Sequence, residues 1–413
     1  MEFSVFTLSN GIRVIHSQIS HSAVSHCGFM VNAGSRDEID AEHGLAHLVE
    51  HTIFKGTSKR KAFHILNRLD SVGGEINAYT TKEETSVYAS FLNEHFERAL
   101  ELLTDITFHS VFPEKELKKE KEVIIDEINA YQDSPSEQIF DDFEELIYAN
   151  QPIGRGILGT TDNVRQMNRG TLLNFYKKHY TPSRVVFSSV GSMPVAKLKR
   201  LLEKHLGSIV STKQDYHRVA YSNYQQADKV VKRELYQAHC MIGNVAYSLE
   251  DERRRGMVLL NNILGGPGMN SRLNLNVREK YGFAYYLESN YSPYTDTGLF
   301  AVYLGTDQKS LSKTKKLVFK ELQKLRDTRL GTVQLHNAQQ QLIGQIALAQ
   351  ESRSNVMLSL GKSLMNFGKV DTLQEVQEQI ENITASDLLE VANQVFDANQ
   401  LSSLTYLPNN QTD

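Results

Sequence analysis

A chain of 413 residues is long enough for two or three domains rather than one. Its 40% hydrophobic and 23% charged content is an ordinary globular mixture, and its formal net charge of −4 argues against a nucleic-acid binder, which needs a basic stripe. Two cysteines, Cys27 and Cys240, supply neither a disulfide framework nor a thiolate metal site and read as buried, reduced thiols.

At the N-terminus, MEFSVFTLSNGIRVIH carries an early Glu2 and lacks the pattern of a secretory signal or a transit peptide. No apolar run along the chain reaches membrane-spanning length, so the chain as given predicts a soluble cytoplasmic protein with no membrane partner. FSVFTL and IRVIHS flank Asn10-Gly11, a hairpin signal. AVSHCGFMVNA reads as a strand, residues 41–55 as a helix, and 61–72 as a second helix stopped by Gly73-Gly74. Strands follow near 75–81 and 84–92, then a helix from Glu94 to about His109. Pro113 opens a further helix that runs to about Tyr131. Strands joined by hairpins and followed by helices, rather than repeated strand-helix-strand crossovers, point to an α+β layer fold.

The chain is also written twice. SHCGFMVNAGSRDE around Cys27 has a degenerate echo in AHCMIGNVAYSLED, which pairs His26 and Cys27 with His239 and Cys240 at an offset of 213. Ala33 then matches Ala246, Ser35 matches Ser248, and ETSVYASFL matches TGLFAVYLG at the same offset. EHGLAHLVEHTIF lines up with RRGMVLLNNIL, with Gly44 opposite Gly256. One order at a nearly constant offset predicts two homologous domains, 1–210 and 230–413, joined by a polar linker at 211–229. The second copy has Leu259, Asn262 and Ile263 where the first has His47, Glu50 and His51, so metal chemistry is expected in the first alone.

H47-L-V-E-H51 carries that chemistry. On a helix, residues four apart share a face, so both imidazoles can converge on one ion. Glu50 stands beside His51, placed to take a proton from a water without being a ligand, the role of a general base. A zinc site also needs a third protein ligand, and ELKKEKEVIIDEINAY offers Glu120 and Glu127, two helical turns apart on one face. Spacing within the helix does not choose between them, and salt bridging on a lysine-rich helix would explain either. GGEINAYTTKEETSVYAS reads as a strand after a Gly-Gly break, a form that can receive an extended peptide at its edge. GGPGMNSRLNLNVREKYGFAYYLES clusters glycines but has no Gly-Lys-Ser/Thr ending and no G-x-G-x-x-G after a strand, which argues against phosphate binding.

Taken together, HLVEHTIFKGT, EKEVIIDEI, GGEINAYTTKEETSVYAS and the R-x6-Y pair of Arg278 and Tyr285 resemble the pitrilysin or M16 peptidases. The likeness is to mitochondrial processing peptidase β subunits and their bacterial relatives, and it covers both halves of the chain. It implies two homologous α/β-sandwich domains of the LuxS/MPP-like metallohydrolase type, each a mostly antiparallel sheet packed with helices. It further implies one Zn2+ per chain on His47, His51 and Glu127, with Glu50 as base and Glu120 as an accessory carboxylate. Asn77, Ala78, Tyr79 and Thr80 are then expected along the peptide substrate, and Arg278 and Tyr285 at its carbonyl oxygen, with Tyr286 a neighbouring rival. Longer relatives face the Arg/Tyr domain across the zinc domain from the opposite half of one chain. A two-domain chain is therefore expected to complete its sites as a homodimer. Some members of the fold are non-catalytic assembly proteins, but these usually lack the ligands, whereas this sequence retains His47, Glu50, His51 and Glu127 together; a maturation peptidase for one peptide would share all of the chemistry. The resemblance departs at Pro267-Gly268-Met269-Asn270, where many relatives have a run of small residues.

Overall fold

A computed structural model of the chain describes residues 2–211 and 218–409; residues 212–217 of the expected linker lie outside the described residues. The first half runs β1 (Ser4–Thr7), β2 (Arg13–Gln18), β3 (Val24–Val31), α1 (Leu45–Ile53), α2 (Ala62–Asp70), β4 (Glu75–Thr80), β5 (Thr85–Leu92) and α3 (Phe96–Phe108). It continues through α4 (Glu114–Gln132), α5 (Pro135–Ile147), α6 (Thr161–Gln166), α7 (Arg169–His179), β6 (Val185–Gly191) and α8 (Val195–Leu206). The second half runs β7 (Asp228–Arg233), β8 (Ala238–Ala246), α9 (Arg254–Gly265), a π-helical segment (Asn274–Glu279), β9 (Ala284–Pro293) and β10 (Gly298–Thr306). It closes with α10 (Gln308–Asp327), α11 (Thr332–Ala349), α12 (Arg353–Phe367), α13 (Leu373–Glu381), α14 (Ala385–Val395) and β11 (Ser402–Pro408).

The elements expected up to residue 132 form with ends shifted by a few residues. Gly11 takes φ +97° in the turn between β1 and β2, which its neighbour Asn10 and the absence of a Cβ permit. The strands build two sheets of one design, β1-β2-β6-β3-β5-β4 and β7-β11-β8-β10-β9. Each is antiparallel except for a single parallel pair, β2 with β6 and β7 with β11. The architecture is α+β, with each sheet packed between helices.

Period-2 alternation divides each strand between two cores. In the first sheet Val14, Cys27, Phe29 and Val31 join the core under α1 and α3, whereas Ile15, Met30, Val186 and Val190 face the other way. That second face is covered by Val356, Met357, Leu364 and Met365 of α12, a helix from the far half of the sequence. A Cβ on Gly361 would stand 2.4 Å from the Met30 sulfur, so glycine lets the helix lie against the sheet. Ser188 donates to the Met357 carbonyl at 2.6 Å, and Arg13 to that of Leu364 at 3.0 Å. Reciprocally, α5 from the near half lays Ile139, Phe143 and Ile147 on Met241, Ala301, Tyr303 and Leu404 of the second sheet.

The chain accordingly packs as two units with exchanged segments: Met1–Asn129, Arg155–Arg218 and Leu348–Thr372 form one, and Ala130–Gly154, Val219–Ala347 and Leu373–Asp413 the other. A single cut at 211–229 separates the sheets but not the helices that cover them. Cys27 and Cys240 are free and buried, as expected. Among the described residues no helix is long and apolar enough to cross a membrane.

The exchange has a direct consequence. A fragment ending at residue 210 leaves Ile15, Met30, Val186 and Val190 bare, and it is expected to be insoluble or to lack a cooperative melt. Co-expression with the remainder of the chain should restore folding, read by solubility and circular dichroism. A cooperative, soluble fragment 1–210 would show that α12 is dispensable to the first sheet.

Candidate active site

The site starts at α1, whose apolar residues Leu45, Leu48, Val49 and Ile53 are fully buried. The start of this helix is fixed from outside. Glu38 accepts hydrogen bonds from the amides of Gly44 at 2.9 Å and Ala46 at 2.7 Å, satisfying donors that have no partner within the helix. Gly44 has φ +97°, and a Cβ there would stand 2.6 Å from the Leu158 carbonyl oxygen, so the position demands glycine on both counts. Burial pushes the Glu38 carboxyl well above the usual carboxylate range, and the two amides pull it partly back.

The third ligand candidate comes from α4, whose buried stripe is Leu117, Glu120, Ile124, Ile125 and Ile128. Glu120 lies within that stripe, while Glu127 stands at its margin with its side chain 45% exposed. The Glu127 carboxylate approaches His47 Nε2 to 3.9 Å and His51 Nε2 to 3.7 Å. One potential ligand atom from each of the three falls within 4.8 Å of the others, and among the described residues no other such trio of His, Cys, Asp or Glu occurs. Tetrahedral zinc with bonds of roughly 2.0–2.1 Å separates its donors by about 3.3–3.5 Å, so the two edges to Glu127 must shorten by a few tenths of an ångström to fit.

The protonation chemistry agrees with that fit. Burial, then the neighbouring His51, pushes His47 down to about 3, leaving a neutral imidazole with a lone pair for a cation. His47 Nδ1 is buried and has no hydrogen-bond partner among the described residues. His51 turns its other nitrogen, Nδ1, to Glu120 Oε2 at 3.4 Å, and Lys55 Nζ holds Glu120 Oε1 at 2.8 Å. A carboxylate behind an imidazole favours the proton on that side and leaves Nε2 free to ligate. The two glutamates that spacing alone could not separate thus differ by which histidine nitrogen they meet.

Glu50 follows on the same helix, half-buried, and its Oε2 accepts the Thr80 hydroxyl at 2.8 Å. Burial raises Glu50 above the usual carboxylate range; the Thr80 bond and His51 act against that rise, and Glu127 adds to it. Thr80 ends β4, the outermost strand of its sheet, which pairs β5 on one side and no strand on the other among the described residues. Alternation puts Ile76 and Ala78 against the core beneath α1, and Asn77 and Tyr79 on the opposite face. Asn77 is exposed there. The Tyr79 ring packs edge-on to Tyr88 at 6.2 Å, lies 5.1 Å from the Lys362 ammonium, and sends its hydroxyl to Glu84 at 3.3 Å. What Asn77, Ala78 and Tyr79 bring to the open edge is therefore mainly backbone.

Arg278 and Tyr285 stand in the second unit. Arg278 is exposed on the π-helical segment, with Asn274 Oδ1 at 3.4 Å from a guanidinium nitrogen. Tyr285 is the second residue of β9, itself an outermost strand, and falls at a bulge: Tyr286 pairs Gly305 and Ala284 pairs Thr306, so Tyr285 has no partner in the ladder. Both tyrosines are exposed, Tyr285 at 54% and Tyr286 at 66%. Three features of the site escaped sequence reasoning: Glu38 at the helix start, Lys55 behind Glu120, and the Thr80 hydroxyl on Glu50. Only Glu38 had a usable signal, an acidic residue shortly before a helix start.

Residues 13–161 match the family model described as Insulinase (Peptidase family M16), and residues 166–342 match that of the Peptidase M16 inactive domain. The chain is 34% identical to "Uncharacterized zinc protease YmxG" of Bacillus subtilis, over 95% of each chain. It is 31% identical to an "Uncharacterized zinc protease" of Rickettsia bellii, over 99% of this chain and 98% of that one. In fold it is similar to a protease from Helicobacter pylori at a TM-score of 0.91 and 22% identity, covering 98% of this chain and 100% of the other. A peptidase M16 inactive domain from Pseudomonas fluorescens gives a TM-score of 0.92 at 18% identity, covering 99% of both.

Two substitutions test the supports of the site. Glu38→Ala is expected to lower stability by about 2 kcal/mol, since it strands two buried amides, and to appear as a lower melting temperature. Lys55→Met is expected to weaken zinc affinity on the order of tenfold by loosening Glu120 behind His51, measured by competition with a chelating dye. Unchanged affinity would show that Glu120 needs no such partner.

Proposed function

The chain belongs to the M16 peptidase family, and on that premise we propose that it is a zinc-dependent endopeptidase acting on unfolded or small polypeptides. The observation that carries this reading is the meeting of His47, His51 and Glu127 with Glu50 alongside. One zinc per chain would be held by those three residues, and when bound it supplies a Lewis acid that polarises the scissile carbonyl and acidifies water.

The chain's own residues do the rest. Glu50 takes the proton of the attacking water and passes it to the leaving amine, a task suited to a carboxylate whose burial makes it hold a proton more readily. Glu120 keeps His51 oriented, with Lys55 behind it. The open edge of β4 receives the peptide as an added strand through the backbone of Asn77 to Thr80, so binding tolerates many sequences. We assign Arg278 and Tyr285 to the substrate backbone and to the oxygen that gains charge as the carbonyl is attacked. Both belong to the unit without the metal trio, and the M16 resemblance supports their delivery from a second copy in a two-fold homodimer with composite sites.

The direct test is metal analysis together with cleavage of a quenched fluorescent peptide library by wild type and Glu50→Gln. One zinc per chain in both, with cleavage by wild type alone, is expected. Absence of both metal and cleavage after zinc reconstitution would favour a non-catalytic assembly protein instead. The composite site predicts that Arg278→Ala and Glu50→Gln chains, each inactive alone, regain partial activity when mixed. No recovery despite demonstrated subunit exchange would count against sharing.

A further inference from the structure

The Thr80 hydroxyl ties the peptide-docking strand to the general base, and we propose that Thr80 is a positioning residue for Glu50. The inference rests on the peptidase reading above.

The direction of that bond follows from a proton count. Thr85 lies across the ladder from Thr80 and donates its hydroxyl to the Ala33 carbonyl at 2.9 Å. Its oxygen stands 3.5 Å from the Thr80 oxygen, but with its one proton committed it has none to offer. Thr80 keeps its own proton for Glu50 Oε2, 2.8 Å away. The bond to Oε2 limits the torsions that the Glu50 carboxylate can adopt while it is kept. Thr80 is β-branched, hence stiff at its first side-chain torsion, and its backbone is registered on β5. The base is therefore set by the same strand that receives the peptide, so docking at the β4 edge and alignment of Glu50 are mechanically one event.

The test compares Thr80→Val, which keeps shape and branching but removes the donor, with Thr80→Ser, which keeps the donor. Steady-state cleavage of a fluorogenic peptide, zinc content and a thermal melt are measured for both, beside wild type and Glu50→Gln. Thr80→Val should lower kcat on the order of tenfold or more, with KM held within about twofold. Zinc content should stay that of wild type, and Thr80→Ser should recover most of the loss. Wild-type kcat in Thr80→Val, a loss confined to KM, or an equal loss in Thr80→Ser would overturn the inference while leaving the peptidase reading intact. Metal-dependent cleavage missing from wild type, or undiminished in Glu50→Gln, would overturn the reading itself and the inference with it.

Discussion

The two hydrogen bonds that Glu38 accepts from the amides of Gly44 and Ala46 are the constraint on which the geometry of the site depends. A nine-residue helix has little stability of its own, because nucleation is costly and few bonds follow it. α1 therefore stands on its buried face and on an anchored start. A rotation of one residue would carry His47 and His51 away from Glu127 together. The anchor sits in an environment hostile to a free carboxylate, so the amides and the carboxyl need each other: removing either leaves the other buried and unmatched.

The second constraint is longer in range. Each sheet has two apolar faces, and helices of its own half cover only one. The exchange of α5 and α12 covers the others, so neither sheet is finished until the far half of the chain has been made. Lys362 of α12 lies 5.1 Å from the Tyr79 ring and ion-pairs with Glu84, steadying β4 from the side away from α1. Part of what holds β4 is thus written some 280 residues downstream of it.

How far this was legible in the sequence follows from the range of each interaction. The His47, Glu50, His51 set was legible because it obeys the local period of one helix, and β4 and β5 because a Gly-Gly break and alternation are local too. The choice of Glu127 over Glu120 as a candidate ligand came only through the family, since helical spacing left the two equally eligible. What separated them was a tertiary fact, the nitrogen of His51 that each can reach. The Thr80 hydroxyl on Glu50 and the exchange of helices were not legible at all. An amphipathic helix announces that it has an apolar face, not which sheet will receive it.

The two copies show where fold ends and chemistry begins. His26 bonds the Ser90 hydroxyl across the ladder at 2.7 Å, and His239, its counterpart, bonds that of Tyr303 at 2.8 Å. This polar tie serves the sheet in both units, and both retain it. At the positions of His47 and His51 they part: Leu259 is fully buried in the second core, and Ile263 packs against it. Two imidazoles placed there without an ion would be buried donors and acceptors lacking partners, a burden of several kcal/mol at the usual ~1–3 kcal/mol per group. Apolar side chains remove that burden and add packing. In the first unit the two histidines instead meet Glu127 and Glu120, partners that the second core does not offer at Leu259 and Ile263.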